Sequence, residues 1–451
     1  MGLLIHQQTM GLIIAAGNTK PAFPYDYYYG VRIKTTVAAT TLERIGRPEL
    51  HTSLPVQSKM RRCVLRDNGT VAYYLHATDS TKRDTGAAAN LTGADGQVMV
   101  EIPKHYRKFE FDGTDLIALI SEYPLPGFHE VPLMYRSAYE ATVDRTVAAT
   151  PKLASVVNTT AAFRGGNNNT AYDGTYRSFL GLPATGISFT NFRNYARNRG
   201  TAGLNGKGWN CDLYAAQLAT YWLFVIEYAN LNCQAAFNAQ PDANGYKQGG
   251  LGPGVTEISS GNWNTYNGYY PFVPCGTTNS LGNASGVVDY TINNGAGITY
   301  TAHVPSYRGI ENPFGHIWSW TDGCKCEIQS EADGGLSKFY VCNDPAKFQD
   351  SSYNGYDYRG NLPRSEGYVK RIMAGEYGEN MPVEVGGGST TYFADYFYTN
   401  IPTSGTAMRG VLFGGDAYLG APAGLAYATT NAAASTTPAR IGSRLCFIPA
   451  A

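Results

Sequence analysis

Side chains able to do acid–base, metal or nucleophilic work are scattered along this chain rather than grouped. The seven histidines stand far apart, so no pair has the spacing that places two imidazoles on one helix face for a metal. His316, in FGHIWSW, therefore reads as a hydrogen-bonded structural residue. The close thiol pair Cys324 and Cys326, in GCKCEI, lacks the second pair a zinc knuckle needs, and reads as one face of a single strand. Glu227 and Glu311 are expected to pair with Arg193 or Arg308 inside the fold rather than to act as acid and base. No HExxH, GxSxG or phosphate-binding glycine loop occurs. Polar turns such as Asp242 to Asn244 lack EF-hand spacing, so a structural calcium has no specific motif behind it, and no cofactor is implied.

Composition narrows the classes further. The chain has 451 residues, 43% hydrophobic and only 16% charged, with 52 Gly, 34 Tyr and a formal net charge of +0. That is ample core material for a loop-rich globular protein with many aromatic contacts. A neutral balance supplies no field to gather phosphates or an anionic membrane surface, so nucleic acid is not an expected partner. The apolar run at 10–16 is too short for a membrane span and lacks a basic flank, so no membrane insertion is expected. A cytoplasmic origin is expected, with display by assembly. Eight cysteines are too sparse for a disulfide framework, and a reduced state is expected.

Residues before about 100 read as β-rich. Val31, Ile33, Thr35 and Val37 alternate with mostly polar neighbours, and Asn68-Gly69 between two apolar runs predicts a hairpin, because both residues tolerate positive φ. A further strand is predicted over 97–102, after a polar loop. Phe189, Phe192 and Ala196 share a helical face within 188–200, with Ser188 or Thr190 as N-cap and Gly200 as stop. A longer helix is predicted from about 212 to 231 on the repeat of Tyr214, Leu218, Tyr221, Trp222, Val225 and Ala229. Gly, Asn and Tyr-rich stretches at 238–306, 353–363 and 386–404 read as ordered loops, with a short aromatic strand in TTYFADYFYTN.

The stretch 409–440 interleaves Gly and Ala with side chains of no consistent chemistry. Asp416, Tyr418, Leu419, Pro422, Tyr427, Thr429, Asn431, Thr436, Pro438 and Arg440 follow neither helical nor strand periodicity. Burial does not account for such a mixture, so these ten are the candidate ligand-binding residues, with no catalytic or metal-binding residue beside them.

Several segments in order resemble a known pattern. LMYRSAYEAT at 133–142, ISFTNFRNYA, LFVIEYANLN, FGHIWSWTDG at 314–323, RGVLFGG and IGSRLCF are similar to successive elements of the C-type lectin fold of the formylglycine-generating-enzyme type. Within that fold, YRGIENPFGHIW, TTYFADYFYTN and the ending IGSRLCFIP look like the variable proteins of diversity-generating retroelements. The resemblance implies an α+β, C-type lectin-like domain over 105–451 with much irregular loop, preceded by a small β-rich attachment module over 1–104. It also implies a variable region at about 409–440, where adenine-directed mutagenesis of AAC codons cannot produce Lys, Glu, Gln, Met or Trp. All five are absent from 409–440.

What the resemblance implies is a hypervariable receptor-binding protein that is not an enzyme. The expected partners are a host-cell surface receptor, protein or glycan, and other virion or tail proteins through the N-terminal module. Expected too are a homo-oligomer, by analogy a trimer, and a place on a phage tail or, alternatively, a bacterial surface. Two other readings stay open: an enzyme of the formylglycine-generating type, and a structural virion protein without receptor binding. The first needs a reactive cysteine near the C-terminal core, and 409–440 contains none, while Cys446 in LCFIP reads as a core thiol with only Arg444 nearby to lower its pKa. Calcium-dependent sugar recognition needs a Glu-Pro-Asn or Gln-Pro-Asp element, and neither lies near the C-terminal segment.

Overall fold

The computed structural model describes residues 24–163, 180–200, 208–237, 272–293 and 299–449. The apolar run at 10–16 and the whole of 238–271, including the 242–244 turn, lie outside them. Strands make up 41% of the structure and helices 14%. The described residues hold three α-helices: α1 (Pro48–Ser53), α2 (Phe189–Arg197) and α3 (Tyr214–Tyr228). The expected α+β, C-type lectin-like class is thereby corrected to a predominantly β architecture. Stretches expected as loops carry strands instead, at Gly286–Asn293, Thr299–Tyr307 and Asp357–Asn361, and strands form also at Gly367–Ala374 and Glu379–Val385, where no element was predicted. The physical reason is visible in Gly424–Thr429, every residue of which is buried: a strand covered on both faces shows no polar–apolar alternation.

Three large sheets organise the chain. A five-stranded sheet runs in the order Glu43–Gly46, Tyr28–Ile33, Asp115–Ser121, His105–Asp112, His129–Val131. Its inner face, Tyr29, Val31, Ile33, Leu116, Ala118 and Ile120, is buried, as the alternation predicts. A seven-stranded sheet joins Trp209–Cys211, Leu445–Phe447, Met134–Ser137, Gln97–Ile102, Arg61–Leu65, Val71–His76 and Asp79–Arg83. The predicted hairpin is its Arg61–Leu65 and Val71–His76 pair, with Gly69 at φ 82° in the turn. Residue 104 lies between Gln97–Ile102, which pairs with Met134–Ser137, and His105–Asp112, which pairs with Asp115–Ser121. A nine-stranded sheet then carries Trp318–Gln329 beside Thr406–Gly414 and Gly424–Thr429.

Both predicted helices form. The Ser188 hydroxyl caps α2 by accepting from Asn191 N–H. Helix α3 buries 12 of its 15 residues and packs against strands from all three sheets, so it is apolar on every side rather than on one face. Phe109 of the five-stranded sheet sits 4.7 Å, ring to ring, from Trp222 of the helix. No helix among the described residues is long and apolar enough to cross a membrane.

Buried arginines join these layers. Arg136 and Asp212, 2% and 0% exposed, form a two-pronged pair at 3.0 and 2.6 Å. Arg136 also donates to Thr220 of α3, and Asp212 accepts from Ser319 of the nine-stranded sheet. Breaking one side of such a pair strands a charge in the core. Asp212→Asn is expected to cost about 3–5 kcal/mol in urea unfolding, and the double change Arg136→Met with Asp212→Leu clearly less than that. Equal or additive losses would refute this account of the pair.

Candidate functional site

The segment 416–440 is closed at its base by strand pairing with 316–318. Asp416 bridges to His316, Ala417 N–H donates to the His316 carbonyl at 3.0 Å, and Trp318 N–H donates to the Arg440 carbonyl at 3.0 Å. The Arg440 guanidinium meets the Asp416 carboxylate at 3.4 Å across the same base. Gly414, Gly415 and Gly420 adopt φ of 101°, 79° and 54°, so the chain turns where a side chain would be strained.

Residues outside the segment hold its interior. Gln234 donates through Nε2 to the carbonyls of Gly420, Ala421 and Ala423 at 2.9, 3.1 and 2.7 Å. Asp395 accepts from Ala426 N–H at 2.8 Å, and the Cys233 thiol sulfur accepts from Leu425 N–H at 3.2 Å. A Cβ on Gly424 would come within 1.7 Å of Asp395 Oδ1, which explains the glycine. An edge-to-face ring series, Trp318 to Tyr427 to Tyr396 to Tyr368, lines the strand at centroid distances of 4.6, 5.7 and 5.1 Å.

The ten candidate residues divide between the interior and the surface. Tyr418 is 44% exposed, and Leu419, Pro422, Asn431, Thr436, Pro438 and Arg440 are half-buried. Asp416, Tyr427 and Thr429 are buried, at 0%, 4% and 4%. The reading of these three is corrected accordingly: burial does account for them, Tyr427 and Thr429 because strand Gly424–Thr429 is covered on both faces, and Asp416 because it sits in the bridge to His316 beneath Arg440. Sequence reasoning missed Gln234, Asp395 and Tyr368, which support the segment from afar in the chain. Only the aromatic richness of 392–398 signalled any of this region in advance.

Other expectations resolve in the core. Glu227 pairs with Arg308 at 2.5 Å, whereas Arg193 pairs with Asp322 and Asp350, and Glu311 accepts from Gly276 N–H and from Thr278. His316 is fully buried, its Nε2 accepting from Val273 N–H and its Nδ1 against Glu140. All eight cysteines are buried and unpaired, with Cys324 and Cys326 in one strand. Burial pushes the Cys446 thiol well up, away from reactivity. Among the described residues no group of three or more His, Cys, Asp or Glu is placed to hold a metal ion. No protein-family model matches the chain, and no curated protein matches it.

Two buried carboxyls beneath the segment titrate near neutrality. Burial raises Asp395 from 3.8 to about 7, against the lowering effect of Ala426 N–H and Cys233, and raises Asp416 to about 6, against the Arg440 charge. Both pKa values exceed the unfolded value, so the native state binds more protons between about pH 4 and 7. Stability from these groups is greatest in acid and is lost as pH rises through their folded values. Asp395→Asn keeps an acceptor for Ala426 N–H without the charge. Its unfolding free energy is expected to match the parent near pH 4 and exceed it at pH 8, by up to about 4 kcal/mol. A variant less stable than the parent at pH 8 would contradict the assignment.

Proposed function

We propose that this chain is a receptor-binding protein whose contact surface is the outward side of residues 418–440. The observation that carries the reading is a separation of roles. The backbone of the segment is held by Gln234, Asp395, Cys233 and the 316–318 strand, while Tyr418, Pro422 and Thr436 face outward and do none of that holding. Outward side chains are then exchangeable without loss of the frame. Tyr418 offers broad contact area at low entropy cost, and the neighbouring Gly and Ala leave room for a partner.

The reading extends to diversification of this surface by codon replacement, with a host-cell surface molecule as partner and a virion as carrier. Support for that extension is the residue set of 409–440 and the independence of frame from outward side chains. Joint substitution Tyr418→Ala, Pro422→Ala and Thr436→Ala is expected to leave the melting temperature within about 2 °C. Binding of the labelled protein to intact cells of a bacterial strain panel is expected to fall at least tenfold. Gly424→Ala, which forces a side chain onto Asp395, is expected instead to lower stability by about 1–3 kcal/mol. Undiminished cell binding by the triple variant, or a large fall in its melting temperature, would defeat the proposal.

A further inference from the structure

A cavity of about 680 Å³ shares no lining residue with 416–440. Its volume lies within the range of about 300–1,000 Å³ common for small-molecule sites. The walls come from all three sheets and helix α3, with Met134 of the seven-stranded sheet, Leu218, Val341 and Phe348 supplying apolar surface. Opposite them stand Arg107, Arg359 and Glu379.

The charges in this cavity do not balance internally. Arg359 Nε lies 3.3 Å from Glu379 Oε1, and its guanidinium stacks over the Tyr377 ring at 4.7 Å. Glu379 Oε2 and Arg107 Nη1 are both buried with no hydrogen-bond partner. The other acids on the wall are already engaged: Glu130 with Lys104, Asp322 with Arg193 and Asp344 with Lys347. His129 lies 3.3 Å from Glu376, with its ring tilted against Tyr377 at 5.1 Å. Arg107 Nη1 and Arg359 Nε on this wall thus both lack a hydrogen bond, and the Arg107 guanidinium has only the Phe109 ring at 5.8 Å and the nearby Glu379 charge to offset its burial, which lowers its pKa to about 10.

Leaving a guanidinium nitrogen buried and unpaired is costly, and such costs persist where a ligand removes them. The wall is also built to stay in shape. Gly378, at φ 74°, has no room for a Cβ against the Phe109 ring, and its carbonyl accepts from Trp222 Nε1 at 2.6 Å, which pins the turn carrying Tyr377.

We propose that this cavity binds a small organic monocarboxylate with an apolar body, the carboxylate on Arg107 and a ligand hydroxyl donating to Glu379 Oε2. A planar carboxylate matches the guanidinium fork. A dianion fits less well, because Glu379 stands beside the cation and would repel the second charge.

The probe is 4-hydroxyphenylacetate, set against its methyl ester, which has the same body without the charge. Titration calorimetry on the full chain is expected to give saturable binding of the acid and at least tenfold weaker binding of the ester. Arg107→Met is expected to weaken the acid at least tenfold while the ligand-free melting temperature stays level or rises, since a purely structural arginine would lower it. Equal binding of acid and ester, no binding of the acid at millimolar concentration, or undiminished binding by Arg107→Met would overturn the proposal. Should Arg107→Met fail to fold, the acid and ester comparison on the parent chain decides alone.

Discussion

The Arg136–Asp212 pair is the interaction on which the remaining architecture depends. Arg136 belongs to the seven-stranded sheet, Asp212 stands at the start of the central helix, and Ser319 and Cys446 bring two further strands to the same carboxylate. In a low-dielectric interior neither charge tolerates separation, so the elements that carry them have one mutual arrangement. Arg62 and Arg444 repeat the device elsewhere. Arg62 reaches Gly309, Ser80, Asn279 and Thr278, and Arg444 reaches carbonyls of Ser137, Glu311 and Asn312. Each ties strands far apart in sequence to irregular chain that has no ladder of its own.

That network explains how a structure with so much loop keeps a defined surface. Loops at 408–449 are anchored by groups contributed from residues 137, 212, 234, 316 and 395, together with the segment's own Ser443 and Arg444 side chains. The groups that hold the backbone are therefore largely distinct from side chains such as Tyr418 that reach solvent. The separation has a cost: carboxyls such as Asp395 and Asp416 are buried, one with no cation and the other with a half-exposed one, and both are pushed toward neutral pKa values.

Legibility in the sequence followed burial geometry. Helices α2 and α3, the Asn68-Gly69 hairpin and the strand Gln97–Ile102 were readable because capping, turn chemistry and alternation are local signals. In the nine-stranded sheet the strand around Cys324 and Cys326 and the aromatic strand in TTYFADYFYTN were readable, and most of the others were not. Trp318–Gln329 is buried on both faces for most of its length and Gly424–Thr429 throughout, and both are rich in small residues, so neither shows a period. The α+β class came with the family resemblance, and strands buried on both faces offered no local period to set against it.

For the candidate surface, sequence alone determined the Gly and Ala spacing, the presence of Tyr418 and the lack of any clustered catalytic or metal-binding motif, since these are matters of residue type and order. Tertiary structure decided which of the ten candidate side chains face outward. Asp416, Tyr427 and Thr429 are covered by 316–318, 396–398 and 412–413, and cover supplied by remote segments leaves no trace in the spacing of the residues it hides. The same holds for Arg107 and Glu379, ordinary charges along the chain, which become a partly unpaired set only when three sheets and a helix close around them.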